Sequence, residues 1–198
     1  MIGKVASNSG AQSSALDVRE LRRTLGFFAS GVAVIAADCD GSVHAMTGNA
    51  FSSLSLEPPL VLFCPAKRSK LAAALGGASG FTINVLRADQ EALATYFAGA
   101  WGEAAPPAFR FVPSRCAPRL EGALATLECQ IHQVSEGGDH WVVIGRVVGL
   151  HRGIEPHRPL LFFKGQYRHV DESAGTPAPD LTAVREEPAH VYYDHGYA

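Results

Sequence analysis

The chain has 198 residues, of which 47% are hydrophobic and 18% charged, and its formal net charge at pH 7 is -2. This composition supports one domain with a sizeable core and excludes a chain that its own charge keeps unfolded. A near-neutral charge offers no basic face to a nucleic-acid backbone, so we expect no nucleic-acid partner.

The cysteines and the first residues indicate where the protein works. None of the four cysteines forms a C-x-x-C pair, which favours a reducing compartment; they are Cys39, Cys64, Cys116 and Cys129. Residues 1–14 lack the apolar segment of a signal peptide, and no apolar run approaches the roughly 20 residues of a membrane helix. We therefore expect a cytoplasmic protein with no membrane contact.

The N-terminal part predicts a flexible tail and then a helix. Residues 1–14 are rich in Ser, Gly, Ala and Asn, and the helix is expected over residues 17–28. Four apolar residues recur at helical spacing and form one face of it. They are Val18, Leu21, Leu25 and Phe28.

The rest of the first half alternates strands with two short helices. Residues 32–37 and 43–47 flank an Asp40-Gly41 turn signal and predict a β-hairpin. The other predicted elements are strands at 51–56, 60–64 and 81–86 and helices at 68–77 and 89–98. A connector rich in proline and alanine follows at 99–108.

The second half is mostly strand, and its end is polar. Strands are predicted at 123–134 and 141–150, which a Gly137-Gly138 turn joins into an antiparallel pair, and at 160–163. Residues 171–198 are polar and proline-bearing, so they form either a disordered tail or an arm that orders against another subunit. The domain itself is expected at 15–170.

Seven to nine strands against three helices, without regular βαβ alternation, predict a mainly β protein with a few helices. A closed or partly closed antiparallel barrel is the favoured architecture. No G-x-G-x-x-G follows a strand and no Walker loop is present, so neither a Rossmann nor a P-loop nucleotide site is supported.

Polar side chains crowd between two strands that otherwise look buried. They are Thr47, Asn49, Ser52, Ser53 and Ser55. Such groups either pair with one another inside the protein or serve a polar ligand. The second interpretation is supported by residues 64–70, where Lys67, Arg68, Ser69 and Lys70 stand between a strand and a helix, as in phosphate sites. A solvated helix start is the alternative for that segment.

In these residues the sequence resembles the flavin reductase family, the reductase components of two-component flavin-dependent monooxygenases. The match spans roughly residues 18–168. Its segments are FASGVAV at 28–34, MTGNAFSSLSLEPPLV at 46–61, FTINVL at 81–86, LATYFAG at 93–99, GDH at 138–140 and PLLFFKGQY at 159–167. The resemblance implies an antiparallel Greek-key split β-barrel, the FMN-binding split barrel.

The resemblance also implies a set of cofactor-binding residues. They are Thr47, Gly48, Asn49, Ala50, Phe51, Ser52, Ser53, Cys64, Pro65, Ala66, Ser69 and Lys70. The first seven would meet the isoalloxazine and ribityl chain, whereas Ala66, Ser69 and Lys70 would hold the flavin phosphate. Many relatives have Ala in place of Gly48 and often Thr in place of Lys70.

For the second substrate, the resemblance places His140 beside the nicotinamide as the catalytic residue, with Tyr167 as a further nicotinamide contact. The alternative for His140 is a turn histidine that hydrogen-bonds the backbone. The remaining histidines show no H-x-x-x-H or H-E-x-x-H spacing on a predicted helix, and we expect no metal.

The implied activity is an NAD(P)H:flavin oxidoreductase that uses NADH or NADPH, reduces FMN or FAD, and supplies a partner monooxygenase. A homodimer is expected, because such barrels build the flavin site at a subunit interface. Two alternatives keep the barrel. One is a non-catalytic flavin-binding or sensor protein. The other is an amine oxidase like pyridoxamine-phosphate oxidase, which ranks last because its basic substrate-phosphate residues are not evident.

Overall fold

The structure, a computed structural model, describes residues 16–103, 105–153, 158–171 and 175. The expected tail at 1–14 lies outside the described residues, as does the C-terminal segment apart from Asp171 and Gly175. The strand pairs within the described part are antiparallel, which confirms the expected mainly β architecture.

Three α-helices occur in the described chain. Helix α1 is Val18–Leu25, α2 is Lys70–Ala74, and α3 is Glu91–Phe97, preceded by a 3₁₀ turn at Ala88–Gln90. Asp17 caps α1 by accepting the Arg19 N–H, and Gly26 ends the helix. The expected extension to residue 28 is therefore wrong, and Phe28 lies outside the helix.

The described part contains twelve strands rather than seven to nine. They are β1 Ser30–Gly31, β2 Ala33–Cys39, β3 Ser42–Gly48, β4 Phe51–Leu56, β5 Pro59–Phe63, β6 Gly80–Val85, β7 Phe111–Val112, β8 Arg119–Leu120, β9 Ala125–Gly137, β10 His140–Arg152, β11 Leu160–Phe163 and β12 Gln166–His169. The hairpin of β2 and β3 turns at Asp40 and Gly41, both at positive φ as a two-residue turn requires.

Seven strands form the main sheet in the order β3-β2-β6-β9-β10-β5-β4. Its two edge strands, β3 and β4, are consecutive in the chain and are separated only by Asn49 and Ala50. The sheet must therefore curl until its edges meet at that link, while no ladder joins β3 to β4 within the described sheet. This arrangement is a split barrel, in agreement with the fold expected from the sequence.

Strand β2 is apolar from Ala33 to Ala37 because both of its faces are buried there. Ala33, Ile35 and Ala37 belong to one buried cluster, which also contains Phe63 and Phe81. On the other face, a second cluster is built from both β2 and α3. Its buried members are Val32, Val34, Leu86, Leu93, Ala94, Leu120 and Leu160. Helix α3 is thereby fixed over the sheet beside β3.

Candidate functional site

The link between β3 and β4 lies against the segment that follows β5. The Cys64 N–H donates to the Ala50 carbonyl at 3.1 Å, and the Trp141 N–H donates to the Pro65 carbonyl at 2.9 Å. Ala66 forms an antiparallel bridge with His140. The structure thus brings together two predicted cofactor segments and the predicted catalytic histidine, although they are far apart in sequence.

His140 begins β10 and has a fixed orientation. Its Nδ1 lies 2.7 Å from Oδ1 of Asp139, and the histidine side chain is 42% exposed. The hydrogen bond from His140, followed by the positive charges of His140 and Arg68, lowers the pKa of Asp139. With Nδ1 donating to this carboxylate, Nε2 is the ring nitrogen that remains for a substrate.

Two side chains of the polar cluster are already used inside the protein. Thr47 donates its hydroxyl to the Ala94 carbonyl at 2.7 Å, and Asn49 donates its amide to the Ser30 hydroxyl at 3.0 Å. Internal pairing, the interpretation less favoured from the sequence, therefore accounts for the Thr47 hydroxyl proton and for one N–H of the Asn49 amide. Thr47 ties β3 to α3, so a flavin contact at Thr47 depends on its backbone groups and its hydroxyl oxygen as an acceptor, whereas Asn49 keeps its second N–H.

The later part of the cluster lies on the edge strand. Ser52 and Ser53 are exposed on β4, and the Ser52 hydroxyl donates to the Ser53 carbonyl at 3.1 Å. Phe51 instead packs partly buried against the cluster that contains Phe63 and Phe81. Their contact with a flavin stays a prediction.

A cavity of about 790 Å³ lies over β3, between α2 and α3, a volume suited to a ligand of cofactor size. Thr47, Ser69 and Lys70 all line it. The Ser69 oxygen accepts the Ala72 N–H at 3.1 Å, which leaves its own proton for a ligand. A hydroxyl donor next to an ammonium group fits a flavin phosphate.

The three cations expected at residues 67–70 do not converge. Lys67 Nζ lies 3.1 Å from Glu136 and 4.8 Å from the centre of the Trp141 ring, so it faces the β9–β10 hairpin. The Lys67 N–H also donates to the Asp139 carbonyl at 3.0 Å. Lys67 thus stabilises the loop before His140. Lys70, in contrast, lines the cavity.

One side of the cavity is formed by aromatic residues, an arrangement that the sequence does not predict. We call Tyr96, Phe97, Phe109 and Phe111 the aromatic wall. The ring centres of Tyr96 and Phe109 are 5.6 Å apart, and those of Phe97 and Phe109 are 5.0 Å apart. The signal in the sequence was two phenylalanines at 109 and 111, but the connector between α3 and these residues shows no pattern that predicts their contact.

Tyr167 lies on β12, away from the contacts described for His140. Its ring packs edge-on to Phe162 at 5.8 Å, and it borders the cluster that contains Leu93 and Ala94. Burial raises the pKa of its hydroxyl, against the effect of a hydrogen bond with Thr95. Tyr167 therefore sits beside α3, and its contact with the nicotinamide stays a prediction.

In residues 16–103, 105–153, 158–171 and 175, no three His, Cys, Asp or Glu side chains are grouped as a metal site would require. The helices described there are all too short to cross a membrane.

Comparisons with known proteins agree with this geometry. Residues 25–171 match the model of the flavin reductase like domain. The reductase subunit HsaB of a flavin-dependent monooxygenase from Rhodococcus jostii (strain RHA1) is 37% identical over 182 residues, covering 90% of this chain and 91% of the relative. An NADH-dependent flavin reductase from a Rhodococcus species is 42% identical over 154 residues, covering 76% of this chain and 85% of that relative.

Among solved structures, the flavin reductase PheA2 superposes with a TM-score of 0.74 at 36% identity, over 79% of this chain and 100% of that one. The split barrel and these relatives together place the chain among the flavin-dependent oxidoreductases. The chain belongs to the flavin reductase family. The family, the fold and the enzyme class expected from the sequence are confirmed.

Proposed function

We propose that this flavin reductase transfers hydride from NADH or NADPH to FMN or FAD at the site described above and releases the reduced flavin to a separate monooxygenase. The observation that carries the proposal is the bridge between Ala66 and His140. It sets the histidine predicted to meet the nicotinamide directly beside the segment predicted to hold the flavin.

A bound flavin supplies the hydride acceptor, its N5 atom, and needs no acid or base from the protein for the transfer. The residues of the chain therefore act by positioning. Ser69 and Lys70 would donate to the phosphate, and the link at Asn49 and Ala50 would contact the flavin ring. Asp139 holds the His140 ring so that Nε2 meets the nicotinamide half of the second substrate.

The proposal includes a homodimer in the cytoplasm. The dimer is supported by α1, which has no buried residue although it carries Val18, Leu21 and Leu25. Phe27 and Phe28, just after it, are 65% and 80% exposed. A contiguous apolar surface of this kind marks an interaction site, and a second copy of the chain is the partner that covers it.

The test is the initial rate of reduced-nicotinamide oxidation by the purified protein, followed by absorbance, for NADH and NADPH each combined with FMN, FAD or riboflavin. We expect consumption that depends on added flavin, and the best pair names both substrates. A protein that binds flavin but consumes no reduced nicotinamide with any pair is a flavin-binding or sensor protein instead. In that case the reductase proposal fails.

A further inference from the structure

The aromatic wall holds more ring surface than packing requires. Phe97 and Phe111 pack against the buried cluster that contains Leu93 and Leu120. Tyr96 and Phe109 are not among the residues that pack against that cluster, yet both line the cavity over β3. Phe109 is 39% exposed.

The contacts within the wall hold these two rings in place. The Tyr96 and Phe109 rings are tilted by 41° to each other, and Phe109 meets Phe111 edge-on at 5.8 Å. Trp101 meets Tyr96 edge-on at 6.4 Å, and its indole N–H donates to the Ala105 carbonyl at 2.8 Å. The wall is therefore a fixed surface, which suits the stacking of a planar ring.

The wall and the predicted flavin contacts share one continuous cavity. Thr47 and Val43 both line it and stand at opposite ends of β3. Four residues of extended strand span about 13 Å, at about 3.3 Å per residue. Ser69 and Lys70 line the same space. The cavity thus extends well beyond the contacts that a flavin ring makes near Thr47.

We propose that Tyr96 and Phe109 form the subsite for the adenylate half of FAD, so that this reductase prefers FAD to FMN. The inference rests on the proposed function. FAD differs from FMN by an adenylate joined to the flavin phosphate, so its purine must lie beyond Ser69 and Lys70. A purine gains affinity by stacking on aromatic side chains.

The experiment compares Tyr96→Leu and Phe109→Leu with the unaltered protein, using direct titration of flavin fluorescence. Leucine keeps the apolar bulk and removes the ring. We expect the Kd for FAD to rise about tenfold in each variant and the Kd for FMN to change by less than about twofold. Phe163→Leu, a ring substitution on β11 beside Lys164, is the matched control and should change neither constant.

Two outcomes overturn the assignment: an equal loss of affinity for FAD and FMN, and an unchanged affinity for FAD. In the second case, steady-state kinetics with FMN as the flavin compare NADH with reduced nicotinamide mononucleotide, which lacks the adenylate. A KM that rises for NADH and not for the mononucleotide would assign the wall to the nicotinamide substrate.

Failure of this subsite is distinct from failure of the reductase. If the unaltered protein binds and reduces FMN while the variants show no selective loss for FAD, only the adenylate subsite is refuted. If the unaltered protein binds no flavin, the proposed function and this inference fail together. A selective loss of FAD binding without reduced-nicotinamide consumption upholds the subsite and refutes the reductase.

Discussion

Among contacts between single residues, the hydrogen bond between Asp139 and His140 has the clearest kinetic consequence. We expect His140→Ala to lower kcat/KM for reduced nicotinamide about fivefold, mainly through KM, because one hydrogen bond is worth about 1 kcal/mol. Flavin affinity should not change. Asp139→Asn should shift KM in the same direction but less, since the ring keeps Nε2 and loses only its orientation.

Steady-state kinetics at saturating flavin, together with fluorescence titration of flavin, measures both quantities. His132→Ala, which removes an exposed histidine from the neighbouring strand β9, is the control. Unchanged kinetics in His140→Ala would show that this histidine only braces the turn before β10. That result would support the backbone-bonding alternative for it.

Glu128 is a buried carboxylate that links stability to pH. It is 4% exposed, accepts the Arg115 N–H at 3.0 Å and pairs with His151. Burial alone would raise the pKa of Glu128, but the hydrogen bond with His151 and the one from Arg115 lower it below the ordinary value. The ionised form of Glu128 therefore stabilises the fold at pH values above the pKa of about 4.3 that it has in the unfolded chain. This stabilisation is lost as the pH falls through the lower pKa that Glu128 has in the folded protein.

Glu128→Gln should accordingly reduce the free energy of unfolding by about 1–3 kcal/mol near neutral pH, and the difference should shrink below about pH 4. Urea titrations at one fixed protein concentration measure it. Glu136→Gln is the control, because Glu136 is exposed and paired only at the surface with Lys67. A difference that stays constant or grows toward acid pH would contradict the assignment.

Residue chemistry in the site was predictable only in part. The sequence indicated that Thr47 and Asn49 need hydrogen-bond partners, but their partners, Ala94 and Ser30, are 47 and 19 residues away. No spacing along the chain reveals such contacts. The three adjacent basic and polar residues from Lys67 to Ser69 suggested a common ligand, whereas Lys67 turns to Glu136 across the fold.

Among the elements, β6 is held by one buried amide. Asn84 donates to the Val34 carbonyl at 2.9 Å and to the Thr82 hydroxyl at 3.1 Å. Its oxygen accepts the Leu120 N–H at 2.9 Å and the Thr126 hydroxyl at 3.0 Å. All four hydrogen-bonding positions of the amide are filled, which joins β6 to β2, β8 and β9.

We expect Asn84→Ala to lower the free energy of unfolding by about 3 kcal/mol, because buried groups of Leu120 and Thr126 lose their acceptor. The shift of the urea midpoint measures the loss. Gln133→Ala, which removes an exposed amide bonded to Ser135 on β9, is the control and should cost far less. Equal losses in the two variants would show that the amide network does not bear the stability assigned to it.

Element length decided which strands the sequence revealed. Alternation and apolar runs located β2 to β6 and β9 to β11, since these have four residues or more. Strands β1, β7 and β8 have two residues each, too few to show a period, and β12 has a polar sequence. Strands β1 and β12 pair with β11, and β7 pairs with β8, in two small sheets beside the main one, so these four form only through contacts made in the folded chain.

For the molecule as a whole, the sequence indicated a barrel but not where the barrel is open. The opening follows from the positions of β3 and β4 at opposite ends of the strand order, although the chain joins these two strands through two residues. The resulting opening lies at this link, and Thr47, two residues before Asn49, lines the cavity beside it. The aromatic wall at its far end depends on α3 and residue 109 coming together, which only the folded chain shows.

The apolar surface of α1 and the two residues after Gly26 leads to a prediction about assembly. Leu25 is 63% exposed and Phe28 80% exposed, so an isolated chain would leave this surface in water. We expect the protein to run as a dimer of twice the 21.0 kDa chain mass in size-exclusion chromatography with light scattering. A double variant, Leu25→Glu with Phe28→Glu, should run as a monomer, because a buried unpaired carboxylate opposes association.

Arg19→Glu changes a charge on the same helix outside its apolar face, and that variant should stay dimeric. If a second chain completes the flavin site, the monomeric double variant should also bind flavin more weakly by titration. A wild-type protein that is monomeric at micromolar concentration would refute the homodimer. A monomeric double variant with unchanged flavin affinity would instead show that each chain holds its flavin alone, so that the apolar surface serves assembly and not the site.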